Sequence, residues 1–158
     1  MKEQYKHLPL RSGVGIVVLN KKNKIFVAKR IDNPKNFWQM PQGGIDEGED
    51  PKAAAYRELL EETGVNHQNV KFLASSSKWL SYDLPEDLIP KLWDGRYRGQ
   101  KQKWFLFKFL GSDEDINIVT ENPEFSNWKW IPKKYLLKEI VPFKKSVYKS
   151  VIKEFERI

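Results

Sequence analysis

At 158 residues the chain is long enough for one domain with its own buried core, and 40% hydrophobic with 31% charged residues is ordinary globular composition. The absence of cysteine excludes disulfides, thiol catalysis and cysteine-ligated zinc; the longest apolar run, Ile16-Val17-Val18-Leu19, is too short to cross a bilayer. No secretory signal precedes the first charged residues, so the cytoplasm is the expected compartment and no membrane partner is expected, while the formal charge of +7 points to a polyanionic partner.

Residues 1–8 are expected to form a flexible tail to a single domain spanning 1–158. Gly13 to Leu19 reads as a buried strand and Ile25 to Lys29 as its partner, joined by the polar turn Asn20-Lys21-Lys22-Asn23-Lys24. Trp38 to Met40 predicts a short strand ending at Pro41, before the glycine pair Gly43-Gly44. A helix should start at Pro51 with Asp50 as its N-cap and stop at Gly64. Val70 to Ala74 and Trp104 to Phe109 read as core strands, residues 85–101 as an irregular excursion, and Ile116 to Val119 and Phe125 to Ile131 as two more strands. Pro142 opens a last helix whose apolar residues Phe143, Val147, Val151 and Phe155 recur at i, i+4 spacing. The order predicts an α/β fold with helices packed on a mixed sheet.

The charge is uneven. Residues 43–65 hold Asp46, Glu47, Glu49, Asp50, Glu58, Glu61 and Glu62 against only Lys52 and Arg57, whereas residues 129–158 are strongly basic. At roughly 100° per residue, Glu58, Glu61 and Glu62 share one side of the predicted helix, with Ala53, Tyr56, Leu59 and Leu60 opposite, available to pack on the sheet. Three carboxylates at i, i+3 and i+4 near a helix C-terminus repel one another and oppose the macrodipole. A divalent cation would reverse the sign of that arrangement, and hard oxygen ligands suit Mg²⁺ or Mn²⁺.

Gly43, then Glu49, then Arg57-Glu58-Leu59-Leu60-Glu61-Glu62-Thr63-Gly64-Val65 match the Nudix box in residue type and spacing, so the chain resembles the Nudix hydrolases. The resemblance implies an α/β/α sandwich with a mixed sheet, a central box helix and a C-terminal helix. It implies Glu58, Glu61 and Glu62 as metal ligands and a Glu49–Arg57 ion pair that joins loop to helix. Gly43 and Gly64 would be structural positions of the motif.

Further segments, Phe37-Trp38-Gln39-Met40-Pro41-Gln42-Gly43-Gly44-Ile45, Gly99-Gln100-Lys101-Gln102-Lys103-Trp104-Phe105, Pro123-Glu124-Phe125, Trp128-Lys129-Trp130 and Val141-Pro142-Phe143-Lys144, resemble the branch of RNA 5′-pyrophosphohydrolases and asymmetric dinucleoside tetraphosphate hydrolases. That branch implies Glu124 as a fourth carboxylate, completing the metal site or assisting the attacking water. Arg11 opens the first strand and Arg30 ends the second, so both can reach phosphate oxygens at an edge. Phe143 can stack on a base or fill the core stripe of the last helix, and Lys144 can reach the backbone of a nucleic acid. Gln102 and Lys103 alternate across a strand, so at most one faces substrate, and Tyr82 is a further phosphate-contact candidate. Where the branch often has Tyr-Arg-Pro, this chain has Leu10-Arg11-Ser12.

The expected chemistry is removal of pyrophosphate from a 5′-triphosphorylated RNA, leaving a 5′-monophosphate and promoting decay. Two or three Mg²⁺ (or Mn²⁺) ions would be held mainly by Glu58, Glu61 and Glu62, with Glu62 or Glu124 accepting the proton of the attacking water. A dinucleoside polyphosphate of the Ap4A type is the alternative substrate, and a nucleotide- or RNA-binding module on the same scaffold the non-enzymatic alternative. A DNA duplex is not expected as a partner.

Overall fold

The chain opens with a single helical turn, α1 (Glu3–Lys6). Within residues 1–8, Tyr5 and Leu8 pack against the core, and the amino terminus lies 3.3 Å from Glu86. The computed structural model describes residues 1–33 and 35–156; Pro34 and the last two residues of the basic C-terminal stretch lie outside the described residues.

Strand β1 (Leu10–Leu19) is covered on both faces, which is why it reads as a continuous apolar run rather than an alternation. Val14, Ile16 and Val18 enter one core, Val17 and Leu19 the other. After the Asn20–Lys24 turn, β2 (Ile25–Arg30) pairs with β1 only at Leu19↔Ile25 and then diverges. The segment 38–40, predicted as a strand, contributes only an isolated bridge from Gln39 to Ala28. The strand comes later, β3 (Gln42–Gly44), once Pro41, which has no N–H to donate, has been passed; it pairs antiparallel with Gly13–Gly15.

The box helix α2 (Pro51–Thr63) has the predicted ends. Asp50 accepts from the Ala53 N–H at 3.2 Å, and Gly64 takes the left-handed conformation with φ 71°. Its roll differs from the prediction. Ala54, Ala55, Leu59, Glu62 and Thr63 face inward, whereas Ala53 and Leu60 are exposed. The buried set still obeys i, i+3, i+4 spacing, but the stripe includes a glutamate.

Beyond α2 come β4 (Val70–Ser75), β5 (Leu80–Asp83), β6 (Gly99–Phe109) and β7 (Phe125–Ile131), then α3 (Leu136–Glu139) and α4 (Lys145–Glu154). β5 was not predicted, and β6 starts five residues ahead of Trp104 because its first half is built from glutamines and lysines. Ile116 to Val119 is not a strand. The Asn117 N–H bonds to the Thr63 carbonyl at 2.8 Å, so this segment caps the end of α2 instead of joining the sheet. Pro142–Lys144 is a 3-10 turn, and the regular last helix begins at Lys145.

β1 and β6 run parallel at the centre of a seven-stranded mixed sheet of order β4-β6-β1-β2-β7. At the end holding Arg11 and Gly99, β3 flanks β1 and β5 flanks β6. One face carries α2 over Ile16, Phe26, Phe105 and Phe107; the other carries α3 and α4 over Val17, Val27, Trp104 and Leu106. In the link between β5 and β6, Trp93, Asp94 and Gly95 are left-handed in succession, with φ 47°, 57° and 69°. For the two non-glycine residues this costs about 1–2 kcal/mol each.

Candidate active site

The site lies where β3 crosses the start of β1 and presents its glycines to α2. A Cβ on Gly43 would fall 2.0 Å from the carboxyl carbon of Glu58, so only glycine lets the two come together. Arg57 organises the loop. Its guanidinium forks onto Glu49 with two bonds of 2.8 Å and donates to the Gly44 carbonyl at 2.8 Å. It also reaches Glu58 at 2.9 Å and Glu61 at 3.2 Å. This bond from Arg57, followed by the Asp46 N–H, holds Glu49 down to about 2, so the loop and helix are tied by a strong ion pair.

The carboxylates differ sharply in environment. Burial pushes Glu58 up to about 7 against the pull of Arg57. Glu62 is only 3% exposed; Oε1 accepts from the Gln42 N–H at 3.2 Å, while Oε2 has no partner among the described residues. Burial, then the charges of Glu124 and Glu58, push Glu62 well above the ordinary carboxylate range. Glu61 is exposed and, among the described residues, pairs with Arg57 alone. Glu124 stands at the mouth just before β7, accepting from Arg30 at 3.2 Å, and the Ile31 N–H holds its carbonyl at 2.9 Å.

As placed, these groups are not a finished cation cage: among the described residues no three His, Asp or Glu side chains stand close enough to hold an ion. Arg57 holds Glu58 and Glu61, and Glu62 turns inward. Two features nevertheless suit a divalent cation. One is the orphaned Glu62 oxygen; the other is the bare Gly43 backbone against Glu58, a cradle that a Cβ would fill. The donors are all hard oxygens.

The expected substrate contacts divide into two groups. Arg11 lies over Gly44 and Arg30 beside Glu124, both partly exposed. Arg30 is occupied: Asp32 takes it in a fork at 2.8 and 2.9 Å, which raises its pKa. Tyr82, Gln102 and Lys144 are instead buried in a polar network beneath the loop. Gln42 Oε1 accepts from Gln102 at 3.2 Å and from the Lys144 amine at 3.3 Å; Gln100 donates to the Tyr82 hydroxyl at 2.7 Å. Burial holds the Lys144 amine down at about 8. Phe143 is half-buried, its ring 5.7 Å from that of Tyr82, so it joins the core and still borders the mouth. Lys103 points to the opposite face of the sheet from Gln102, in register with Val14.

Three residues with a part in this arrangement carried no role in the sequence reading: Gln42, Gln100 and Asp32. Gln42 and Gln100 have a visible signal, a polar residue at an inward strand position. Asp32 has none.

Fold and site define an α/β/α sandwich with a carboxylate-bearing loop–helix–loop at one end of its sheet. The NUDIX domain matches residues 9–151, and the chain belongs to the Nudix family, whose hydrolases generally require divalent metal ions. It is 56% identical to the RNA pyrophosphohydrolase of Roseobacter denitrificans over 154 residues, covering 98% of this chain and 96% of that protein. It is 55% identical to the RNA pyrophosphohydrolase of Pelagibacter ubique, covering 100% of this chain and 99% of that protein. Among solved structures, a C. elegans Ap4A hydrolase binary complex aligns with TM-score 0.66 at 21% identity, covering 92% of this chain and 99% of that one. The E. coli dihydroneopterin triphosphate pyrophosphohydrolase aligns with TM-score 0.71 at 17% identity, covering 90% and 96%. These two show the shared fold.

Proposed function

We infer that the chain is an RNA pyrophosphohydrolase, removing pyrophosphate from the 5′-triphosphate end of RNA in the cytoplasm and leaving a 5′-monophosphate that favours decay. The observation that carries this reading is the 55–56% identity, over essentially the whole chain, to proteins of that activity. All four carboxylates of the expected set are present.

Glu58, Glu61, Glu62 and Glu124 would hold the cations, taken to be two or three Mg²⁺ or Mn²⁺ ions with substrate bound. When bound, they supply neutralisation of the polyphosphate charge and acidification of a water. Arg11 meets the phosphate oxygens, and Phe143 borders the first bases. The backbone N–H of Gln42 orients Glu62, and either Glu62 or Glu124 accepts the proton of the attacking water.

The second reading, a dinucleoside polyphosphate hydrolase, draws support from the fold shared with an Ap4A hydrolase. Turnover of triphosphorylated RNA and of Ap4A, compared at equal Mg²⁺ and enzyme, separates the two. A higher kcat/KM on RNA is expected, and preference for Ap4A would overturn the first reading. Inactivity on both would favour a non-catalytic binding module.

A further inference from the structure

Arg11 is an unusual cation for its position. It is half-buried at the start of β1, yet among the described residues no carboxylate pairs with it. Its Nη1 donates to the Gln100 side-chain oxygen at 3.3 Å, and its Nη2 lies over Gly44, where a Cβ would come within 2.1 Å. The guanidinium faces the indole of Trp93, 5.1 Å from the ring centroid. Arg30, by contrast, is already held by Asp32 and Glu124.

Trp93 reaches this position from a backbone that a tryptophan rarely adopts. It leads the left-handed run Trp93–Gly95, closed by the Gly95 N–H on the Leu92 carbonyl at 2.9 Å and the Arg96 N–H on the Trp93 carbonyl at 3.2 Å. Tyr97 braces the indole edge-on at 6.1 Å. Left-handed non-glycine residues persist where the surroundings over-determine them, and they concentrate at functional sites. Here the surroundings are the edge of the core, the aromatic brace of Tyr97 and a guanidinium with no carboxylate partner among the described residues.

We propose that Trp93 is the positioning residue for Arg11. The left-handed turn presses the indole onto the guanidinium and fixes it above Gly44, beside the carboxylate loop. An aromatic face and a neutral amide oxygen thus replace the carboxylate that would otherwise neutralise Arg11, and its remaining donors stay available for a polyphosphate oxygen. This rests on the site being a polyphosphate site, whichever nucleotide carries the phosphates.

The test is a double-mutant cycle with Trp93→Leu, Trp93→Phe and Arg11→Ala, run on whichever of triphosphorylated RNA or Ap4A the enzyme turns over better. Trp93→Leu should raise KM on the order of tenfold with kcat little changed, and Trp93→Phe should restore most of the loss. The Arg11→Ala, Trp93→Leu double variant should be no worse than Arg11→Ala alone. Losses that multiply, or a Phe variant as impaired as Leu, would overturn the proposal. Independently of substrate, the Arg11 Cδ protons should carry an upfield ring-current shift in the wild type that Trp93→Leu removes and Trp93→Phe retains. An unshifted wild-type resonance refutes the stacking even if the enzyme proves to be an RNA pyrophosphohydrolase, and a shifted one stands even if it does not.

Discussion

Replacing Glu62 by glutamine should stabilise the metal-free protein while removing its activity, and the stabilisation should depend on pH. The amide keeps the shape and the acceptor for the Gln42 N–H but removes a charge that is 3% exposed and has one oxygen without a partner. Burial, then Glu124 and Glu58, raise the Glu62 pKa in the folded state. The folded protein therefore binds this proton more tightly than the unfolded chain does. The stability linked to that proton is fully present below the unfolded value near 4.5 and is lost as pH rises through the folded value. Glutamine has no such dependence, so the variant's advantage should be near zero at pH 4.5 and grow toward alkaline pH. The amide nitrogen keeps the unpartnered position, so the gain is the cost of the buried charge alone, on the order of 1 kcal/mol or more. For a chain of this length that is at least roughly 2–4 °C in Tm. Calorimetry in chelator from pH 4.5 to 8.5 measures it, with Glu58 unchanged in both proteins. Added Mg²⁺ should stabilise the wild type more than the variant, while turnover of the variant stays orders of magnitude lower. A variant less stable than wild type at pH 8, or a difference flat in pH, would refute the reasoning.

Three other substitutions probe the frame of the site. Gly43→Ala would drive a methyl into the Glu58 carboxylate and should lower kcat/KM by roughly 10²-fold with an unchanged circular dichroism spectrum. Gly15→Ala places a Cβ 2.3 Å from the buried Trp104 ring and should cost about 1–3 kcal/mol in urea denaturation, since neither side can yield easily. Glu49 is held at about 2, chiefly by Arg57, so its contribution is present above about 4.5 and lost as pH falls toward 2. Glu49→Gln should therefore be less stable than wild type at pH 7, with the gap closing on acidification.

The box was legible because spacing alone determines it. A proline after an aspartate, a glycine thirteen residues on and a fixed set of glutamates leave one helix with one pair of ends, and those ends are where the structure has them. The strands were legible where apolar residues make them, as in β1 and the second half of β6. β5 and the Gly99–Lys101 start of β6 were not, because their inward positions are Tyr82 and Gln100, which bond one another through their side chains, next to Gln102, which donates to Gln42. Polarity is a proxy for exposure, and it fails wherever polar groups find partners inside. The Arg30–Asp32 fork was invisible for a different reason: nothing in the spacing says which acid a surface arginine will meet.

The roll of α2 makes the same point at the site itself. Sorting its residues by polarity puts every glutamate outside and Leu60 inside, which is the lower-energy arrangement for a helix with only a structural task. The structure instead leaves Leu60 exposed and buries Glu62. Nothing in the local packing repays that exchange, since Glu62 keeps one oxygen without a partner and an elevated pKa. A helix that departs from its own amphipathic optimum in the direction that brings a carboxylate onto the Gln42 N–H has the orientation that the proposed role of Glu62 in the site requires, and one that packing alone does not explain.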